Sequence, residues 1–189
     1  MGALAQVVLL LTIAFQADAT QVCKTARVIS VGSLSSKNHL EDGGVRFYLE
    51  DQPISFVPGR GVNVVAIDPT SEKVLWARSY NALTEQQGLA RDLRSSVDGQ
   101  VLLIALKGIG PEALASDAFE ALRSVGATLL SEGYREGYAM IGTKGRRPVA
   151  EDTGKDTDVE VMLPCSGYTD SVASTKAAAT AAAKVGKTP

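Results

Sequence analysis

The apolar run VLLIAL at residues 101–106 constrains the fold most strongly, because it has no polar side chain to turn toward solvent. A short run of this kind between turn residues is typical of a strand that is covered on both faces. Turn residues are present on both sides, with Asp98 and Gly99 before the run and Gly108 after it. We therefore predict a central strand here, within a layered domain.

Shorter strand and helix patterns surround this segment. We predict further strands at residues 26–31, 45–49, 54–57, 62–67, 73–80, 138–141 and 159–163. One helix is expected over residues 85–97, capped by Asn81 or Thr84, and a second is expected to be capped by Ser116. The polar residues 144–158 are expected to form a solvated connection. This order predicts an α+β fold, a compact globule of mostly antiparallel β-sheets flanked by helices.

A second apolar stretch, VVLLLTIAF at residues 7–15, lies near the start of the chain. It is shorter than the roughly 20 residues that a membrane-spanning helix needs, but it suits the core of a secretory signal. Ala17 and Ala19 supply the small-x-small pattern of a cleavage site. We predict a signal peptide at residues 1–19 and a secreted or lumenal protein without a membrane span. The alternative is a buried N-terminal helix, since no Lys or Arg precedes the run.

The rest of the chain is predicted to form one folded domain, residues 20–165, followed by a low-complexity tail, residues 166–189. The tail consists mainly of Ala, Ser, Thr and Lys, which offer little apolar surface to bury. Cys23 and Cys165 bracket the domain. In an oxidising compartment their simplest state is a disulfide bond, and the alternative is two buried free thiols.

Composition argues against several functional classes. The chain has two cysteines and one histidine, His39, which are too few for a four-cysteine or two-cysteine, two-histidine zinc site. Catalysis by a Ser-His-Asp or Cys-His arrangement would have to use His39 alone. The net charge of -2 gives no electrostatic case for nucleic-acid binding. We therefore expect a protein without cofactor, metal or catalytic site.

One motif favours a different interpretation. Gly108, Gly110 and Ala113 form the G-x-G-x-x-A pattern of a dinucleotide-binding turn, and Glu132 stands about 20 residues further on, where a ribose-binding acid is expected. However, only two short strands remain after the motif, and a dinucleotide-binding sheet needs several parallel ones. A dinucleotide-dependent enzyme is retained only as an alternative.

Four segments in order resemble the interleukin-like EMT inducer (ILEI)/PANDER family. They are GRGVNVVAI at residues 59–67, GQVLLIALK at 99–107, FEALRSVG at 119–126 and GYREGYAMIGTKG at 133–145. The first is similar to the family's GRG-x-N opening, and the last to its G-[FYW]-R-[DE]-x-W block. The resemblance implies a fold of two antiparallel sheets flanked by helices.

The resemblance also implies a function without catalysis. Free-standing members of the family are secreted signalling factors. The same domain in the stem of the protein O-mannose N-acetylglucosaminyltransferase is lectin-like and binds terminal GlcNAc, and it also accompanies hyaluronan-binding or hyaluronan-cleaving modules. We therefore expect a secreted binding module whose partner is a glycan or a cell-surface glycoprotein. The alternative is an extracellular signalling factor that acts through a protein receptor.

The resemblance carries the ligand contacts of the sugar-binding member onto Arg60 and Arg135. The acid of that site falls at Gly108, and its tryptophan falls at Tyr138, which still offers an aromatic face. A planar guanidinium suits sugar hydroxyls and carboxylates. The structural alternative for each arginine is a salt bridge, either from Arg60 to Asp51 or Asp68, or from Arg135 to Glu132 or Glu136. Of the family's disulfides, the resemblance retains the long-range pair, Cys23 with Cys165.

Overall fold

Two antiparallel β-sheets and two helices form three layers in the computed structural model, which describes residues 24–32, 44–130 and 137–163. The helices are α1 (Gln86–Ser95) and α2 (Ser116–Ser124). The strands are β1 (Thr25–Val31), β2 (Val45–Leu49), β3 (Gln52–Pro53), β4 (Gly61–Ile67), β5 (Val74–Tyr80), β6 (Val101–Lys107), β7 (Gly137–Thr143), β8 (Ala150–Gly154) and β9 (Asp156–Met162). One sheet has the order β3-β2-β1-β9 and the other β5-β4-β6-β7-β8. The predicted α+β fold is confirmed.

The five-stranded sheet is the middle layer, and β6 lies at its centre. Leu102, Ile104 and Leu106 of β6 face the core that contains α1 and α2. Leu103 and Ala105 face the opposite core, against the four-stranded sheet. Because successive side chains of a strand point to opposite faces, an all-apolar strand fits only where both faces are covered. The prediction for residues 101–106 is confirmed.

Buried Ser30 of β1 connects the two sheets by hydrogen bonds. Its hydroxyl donates to the carbonyl of Leu106 on β6 at 2.7 Å and accepts from the Tyr138 N–H on β7 at 3.2 Å. The Thr157 hydroxyl donates to the Ser30 carbonyl at 2.7 Å. Face-to-face sheets normally meet only through apolar side chains, so this polar link fixes β1 at one position along β6 and β7.

Two predicted segments differ from the structure. Residues 54–57 are not a strand. The strand that pairs with β2 is Gln52–Pro53, followed by one further main-chain bond from the Ile54 N–H to the Phe47 carbonyl at 2.9 Å, and Glu50 and Asp51 form the tight turn with φ of 53° and 60°. Ile54 and Phe56 instead pack on the core as irregular chain. Residues 144–158 are not a simple connection, because Ala150–Gly154 adds to the sheet as β8.

The predicted helix caps also differ. α2 begins after Ala115 rather than after Ser116, and it ends at Ser124. α1 begins after Glu85, which makes no side-chain capping bond of its own. The Asn81 side chain instead accepts a hydrogen bond from the Leu83 N–H at 2.8 Å, one turn before the helix. It therefore orders the approach to α1 without capping it.

Several predictions concern residues outside the described parts of the chain. These are the signal peptide at residues 1–19, the tail at residues 166–189, and the cysteines Cys23 and Cys165. Among the described residues, no helix is both long and apolar enough to cross a membrane.

Candidate functional site

The loop that carries Arg60 is held in place by three side chains. Buried Asn63 donates from its amide to the carbonyls of Gly59 and Gly61, at 3.0 and 3.3 Å. Ser79 donates to the Asn63 side-chain oxygen at 2.6 Å and accepts from the Gly59 N–H at 2.7 Å. These bonds fix the backbone on both sides of Arg60.

Lys107 secures the same loop from the neighbouring strand. Its ammonium group donates to the carbonyl of Pro58 at 2.6 Å. Lys107 lies on β6 directly opposite Gly61 on β4, so its side chain reaches the loop across one strand pair. The chain from residue 58 to residue 61 is thus anchored at every residue except Arg60.

The glycine after Arg60 is required by close approach of the backbone. A Cβ atom on Gly61 would lie 2.0 Å from the carbonyl oxygen of Tyr80, and the φ of Gly61 is +122°. Any other residue would place its Cβ in a clash with this carbonyl and would be strained at this φ. Asn63, the fifth residue of GRGVN, therefore stabilises this tight loop, since its amide donates to two of the loop's carbonyl groups.

The Arg60 side chain is exposed and lies against Gly108. A Cβ on Gly108 would meet the Arg60 Cγ at 3.5 Å, so the two residues are in contact. This is the position where the resemblance places the acid of the sugar site. Gly108 has a φ of +64°, a left-handed conformation that glycine adopts freely and that Asp and Asn tolerate best among the others.

The alternative role of Arg60 as a salt-bridge partner finds no support in the part of the chain that the structure describes. No ion pair with Asp51 or Asp68 is present there. The Asp68 carboxylate instead accepts from the N–H groups of Thr70 and Ser71, at 2.7 and 3.0 Å. These bonds lower the pKa of Asp68 and make it a turn former, as its sequence context predicts.

Tyr138 does not offer the aromatic face that the sequence led us to expect. It lies in β7 and is fully buried, with its hydroxyl donating to Glu151 of β8 at 2.6 Å. Burial, and then the adjacent Glu151 carboxylate, raise the pKa of Tyr138 well above the ordinary tyrosine value. The expectation of a stacking surface is corrected, because a sugar cannot reach a ring that is enclosed in the core.

Glu151 also fastens a loop beside Tyr138. Its carboxylate accepts from the N–H groups of Thr128 and Leu129, at 2.8 and 3.0 Å, and from the Thr128 hydroxyl. No sequence pattern indicates this role, because Glu151 lies in a polar stretch without apolar periodicity. The tyrosine is therefore part of a structural network and not of a ligand surface.

Arg135 lies outside the described residues, so its position relative to Arg60 is left as a prediction. The next described residue, Gly137, begins β7 at the end of the sheet where β6 ends. Gly137 packs closely there, since a Cβ on it would lie 2.6 Å from the Ser30 carbonyl oxygen.

The residues of the dinucleotide motif do not have the geometry that the motif requires. β6 is antiparallel to both of its neighbours, β4 and β7. After Gly108 and Gly110 the chain makes only a single 3-10 turn at Pro111–Ala113 before it reaches α2. A dinucleotide turn joins a parallel strand directly to a helix whose N-terminus faces the pyrophosphate. The motif therefore lacks its structural context.

Comparison with known families supports the resemblance. The family model described as interleukin-like EMT inducer (ILEI) matches residues 60–146. The match begins at Arg60 and continues through Gly108, both helices and β7. A comparison with curated proteins returned no match. The predicted resemblance to the ILEI family, a family of secreted factors, is confirmed over this segment.

Proposed function

We propose, from this ILEI family match, that the chain is a secreted, non-enzymatic binding module and that Arg60 is its carbohydrate contact. The observation that carries the proposal is the exposed Arg60 side chain on a loop that Asn63, Ser79 and Lys107 hold in place. Because the backbone on both sides of Arg60 is already held, ligand binding has to order only the Arg60 side chain and not the loop.

The chemistry around Arg60 favours an acidic sugar over a neutral one. Gly108 supplies no carboxylate to accept hydrogen bonds from sugar hydroxyls, and Lys107 adds a second positive charge beside the loop. Arg60 has no ion-pair partner among the residues that the structure describes, and a guanidinium of this kind can bind a carboxylate through two parallel hydrogen bonds. We therefore propose a glycan with a uronic acid or another carboxylated sugar as the ligand, with Arg135 as a second contact.

A glycan array that carries both neutral GlcNAc-terminated and uronic-acid-terminated oligosaccharides tests this proposal on the secreted protein. Arg60→Ala should weaken binding about tenfold or more, since a charge-assisted hydrogen bond is worth about 1.5–3 kcal/mol. Arg60→Lys should retain part of the affinity, because it keeps the charge and loses the planar fork. Arg135→Ala should behave like Arg60→Ala.

Arg94→Ala is the matched control, because Arg94 is an exposed arginine on α1 that pairs with Asp117 at 3.7 Å. It should leave glycan binding unchanged. The melting temperature of Arg60→Ala should equal that of the unsubstituted protein. A large drop in that temperature would show a structural role for Arg60 and count against the proposal. So would an array on which no glycan binds.

A second function, signalling through a protein receptor, is favoured by apolar side chains on the surface. Leu75 of β5 is 51% exposed and Val57 is 88% exposed. Exposed apolar residues on one side of a domain often mark a protein interface.

Binding of the protein to cells treated with glycosidases distinguishes the two functions. A glycan-binding module should lose its cell-surface binding after this treatment, and a receptor ligand should keep it. Protease treatment should have the reverse effect.

A further inference from the structure

A groove of about 810 Å³ lies beside the edge strand β5. Four consecutive residues of β5, from Ala77 to Tyr80, line it, together with α1 on one side and Phe56 on the other. Among the described residues, β5 pairs only with β4, so its outer edge has no strand partner. The groove thus follows a row of main-chain N–H and C=O groups that point away from the sheet.

A polypeptide is the ligand that matches such a row. An extended chain repeats N–H and C=O groups at the spacing of a strand, and it can add to an open sheet edge by main-chain hydrogen bonds. The walls formed by α1 and Phe56 would contact the alternate side chains of the added strand. No other class of ligand satisfies successive main-chain groups in this way.

Gly88 of α1 provides an independent observation. Glycine in a helix interior is less favourable than alanine, and the φ of Gly88 is not positive. A Cβ on Gly88 would meet the ring of Tyr80 at 3.8 and 3.9 Å, which is ordinary contact. The packing of the domain therefore does not require glycine here. What glycine leaves is open space above Tyr80, inside the groove.

The acids that line the groove already have partners. The Asp92 carboxylate accepts from the Tyr80 hydroxyl at 2.7 Å, from Arg78 at 2.5 Å and from Arg91 at 3.2 Å. The Glu85 carboxylate accepts from the Asn81 N–H at 2.7 Å.

The two arginines, in contrast, keep donors to spare. The side chains of Arg78 and Arg91 are 56% and 77% exposed. Each guanidinium has five N–H donors, and Asp92 takes only a part of them. Where Arg78 and Arg91 share the one carboxylate of Asp92, the groove has an excess positive charge and unused donors, which complement an acidic side chain of a ligand at that point.

We propose that this groove binds an extended acidic peptide segment of a partner protein, which adds to β5 as a strand and places a carboxylate on Arg78 and Arg91. The peptide contacts Arg78 and Arg91 and not Arg60, although Ser79 both lines the groove and holds the Arg60 loop, and the proposal stands whether or not a glycan binds at Arg60.

Selection from a displayed library of random peptides, each at least as long as β5, tests the proposal on the secreted protein. Peptides are first depleted on Gly88→Leu, whose side chain fills the groove while leucine keeps a high helix propensity. Peptides that then enrich on the unsubstituted protein should contain Asp or Glu. Their affinity should fall about tenfold or more with Arg91→Glu, since charge reversal converts attraction to repulsion.

Two measurements test whether the peptide binds as a strand. Two versions of the peptide are compared, one methylated at the odd-numbered and one at the even-numbered backbone nitrogens. One version should lose binding and the other should keep it, because only every second N–H of an added strand points to β5. Bound peptide should slow amide exchange along residues 74–80. Gly88→Ala should raise the melting temperature, which shows that α1 does not need glycine for stability.

The proposal is overturned if no peptide enriches after depletion, or if enriched peptides are insensitive to both Gly88→Leu and nitrogen methylation. Enrichment of basic or uncharged peptides would contradict the assignment to an acidic partner. A melting temperature of Gly88→Leu close to that of the unsubstituted protein confirms that lost binding reflects a filled groove. Glycan binding that is lost in Gly88→Leu and retained in Arg60→Ala would identify the groove as a sugar site and overturn the peptide assignment.

Discussion

Asn63 and Ser79 lie directly opposite each other on β4 and β5, and the Ser79 hydroxyl donates to the Asn63 side-chain oxygen at 2.6 Å. This bond orients the Asn63 amide so that its donors face the carbonyls on either side of Arg60. Asn63 is fully buried and Ser79 is half-buried. We assign both as positioning residues for Arg60.

Asn63→Ala should lower the free energy of unfolding by about 2 kcal/mol, because the carbonyls of Gly59 and Gly61 lose their bonds from Asn63 and the Ser79 hydroxyl loses its acceptor. Ser79→Ala should cost less, and the double variant should show a coupling energy of about 1 kcal/mol. Urea denaturation of the four proteins measures this. Additive effects would contradict the network, and Ser95→Ala, an exposed serine on α1, is the control.

The hydroxyl of Tyr138 should make the domain sensitive to alkali. Its pKa is raised in the folded state, so the unfolded chain releases this proton first as the pH rises past the ordinary value of 10.0. The stabilising contribution is therefore complete below that pH and is lost above it. Tyr138→Phe should show a shallower decrease in unfolding free energy between neutral and alkaline pH.

Tyr48→Phe is the comparison for this measurement, since it removes a tyrosine hydroxyl from the four-stranded sheet instead. At neutral pH, Tyr138→Phe should also cost about 1 kcal/mol, because the bond to Glu151 is lost while the bonds of Glu151 to Thr128 and Leu129 remain. Equal alkaline slopes for Tyr138→Phe and the unsubstituted protein would contradict the assignment.

Asp92 should make the domain sensitive to acid. Burial alone would raise the pKa of Asp92, but hydrogen bonds from Tyr80, Arg78 and Arg91 hold it below the ordinary value of 3.8. A depressed folded pKa contributes stability above the unfolded pKa, and that stability is lost as the pH falls through the folded value. Asp92→Asn should flatten the loss of unfolding free energy below about pH 4.

Thermal denaturation across acidic buffers measures this effect. Asp117→Asn is the matched control, because the Asp117 side chain is 68% exposed and, among the described residues, its carboxylate pairs with Arg94 at 3.7 Å. An acid profile for Asp92→Asn that matches the unsubstituted protein would show that the three hydrogen bonds are not maintained in solution.

The sequence predicted those parts of the fold where burial sets the pattern. Residues 101–106 are apolar on both faces because both faces are covered, so their periodicity could be interpreted directly. β8 could not be found in this way. Its residues, AEDTG, form an edge strand that is half-buried throughout, and no alternation of apolar and polar side chains marks it.

The candidate site was predicted less completely, because sequence does not show orientation. Arg60 was predicted to contact a ligand, which stays a prediction, and its side chain is exposed. The sequence did not indicate that Ser79 of β5, sixteen positions from Asn63, holds the Asn63 side chain. Tyr138 was expected to be accessible, although it precedes the apolar run Ala139–Met140–Ile141. A tyrosine that begins such an apolar run within a strand belongs to the core, so the sequence itself indicates that Tyr138 is buried.

The disulfide bond remains a prediction, and the described residues next to the cysteines support it. The Leu163 N–H donates to the carbonyl of Lys24 at 2.8 Å, beside the pair Thr25 and Met162 of the β1 and β9 ladder. Cys23 and Cys165 are close neighbours of these bonded residues in sequence. We expect both cysteines to resist alkylation until a reductant is added, as measured by mass spectrometry of the protein purified without reductant.

Cys23→Ser with Cys165→Ser should lower stability by up to about 5 kcal/mol in the chain-entropy model, because the bond closes a long loop of the unfolded chain. Alkylation of both cysteines without reductant would contradict the predicted bond.

The hydrogen bonds of Ser30 join the two sheets into one cooperative unit. Parting the sheets would break both hydrogen bonds of the Ser30 hydroxyl and expose the apolar core between the sheets, so neither sheet opens alone at low cost. The free energy gained from a ligand on the five-stranded sheet is therefore shared with the four-stranded sheet across the core. A molecule bound at Arg60 would slow amide exchange in β1, a strand that it never touches.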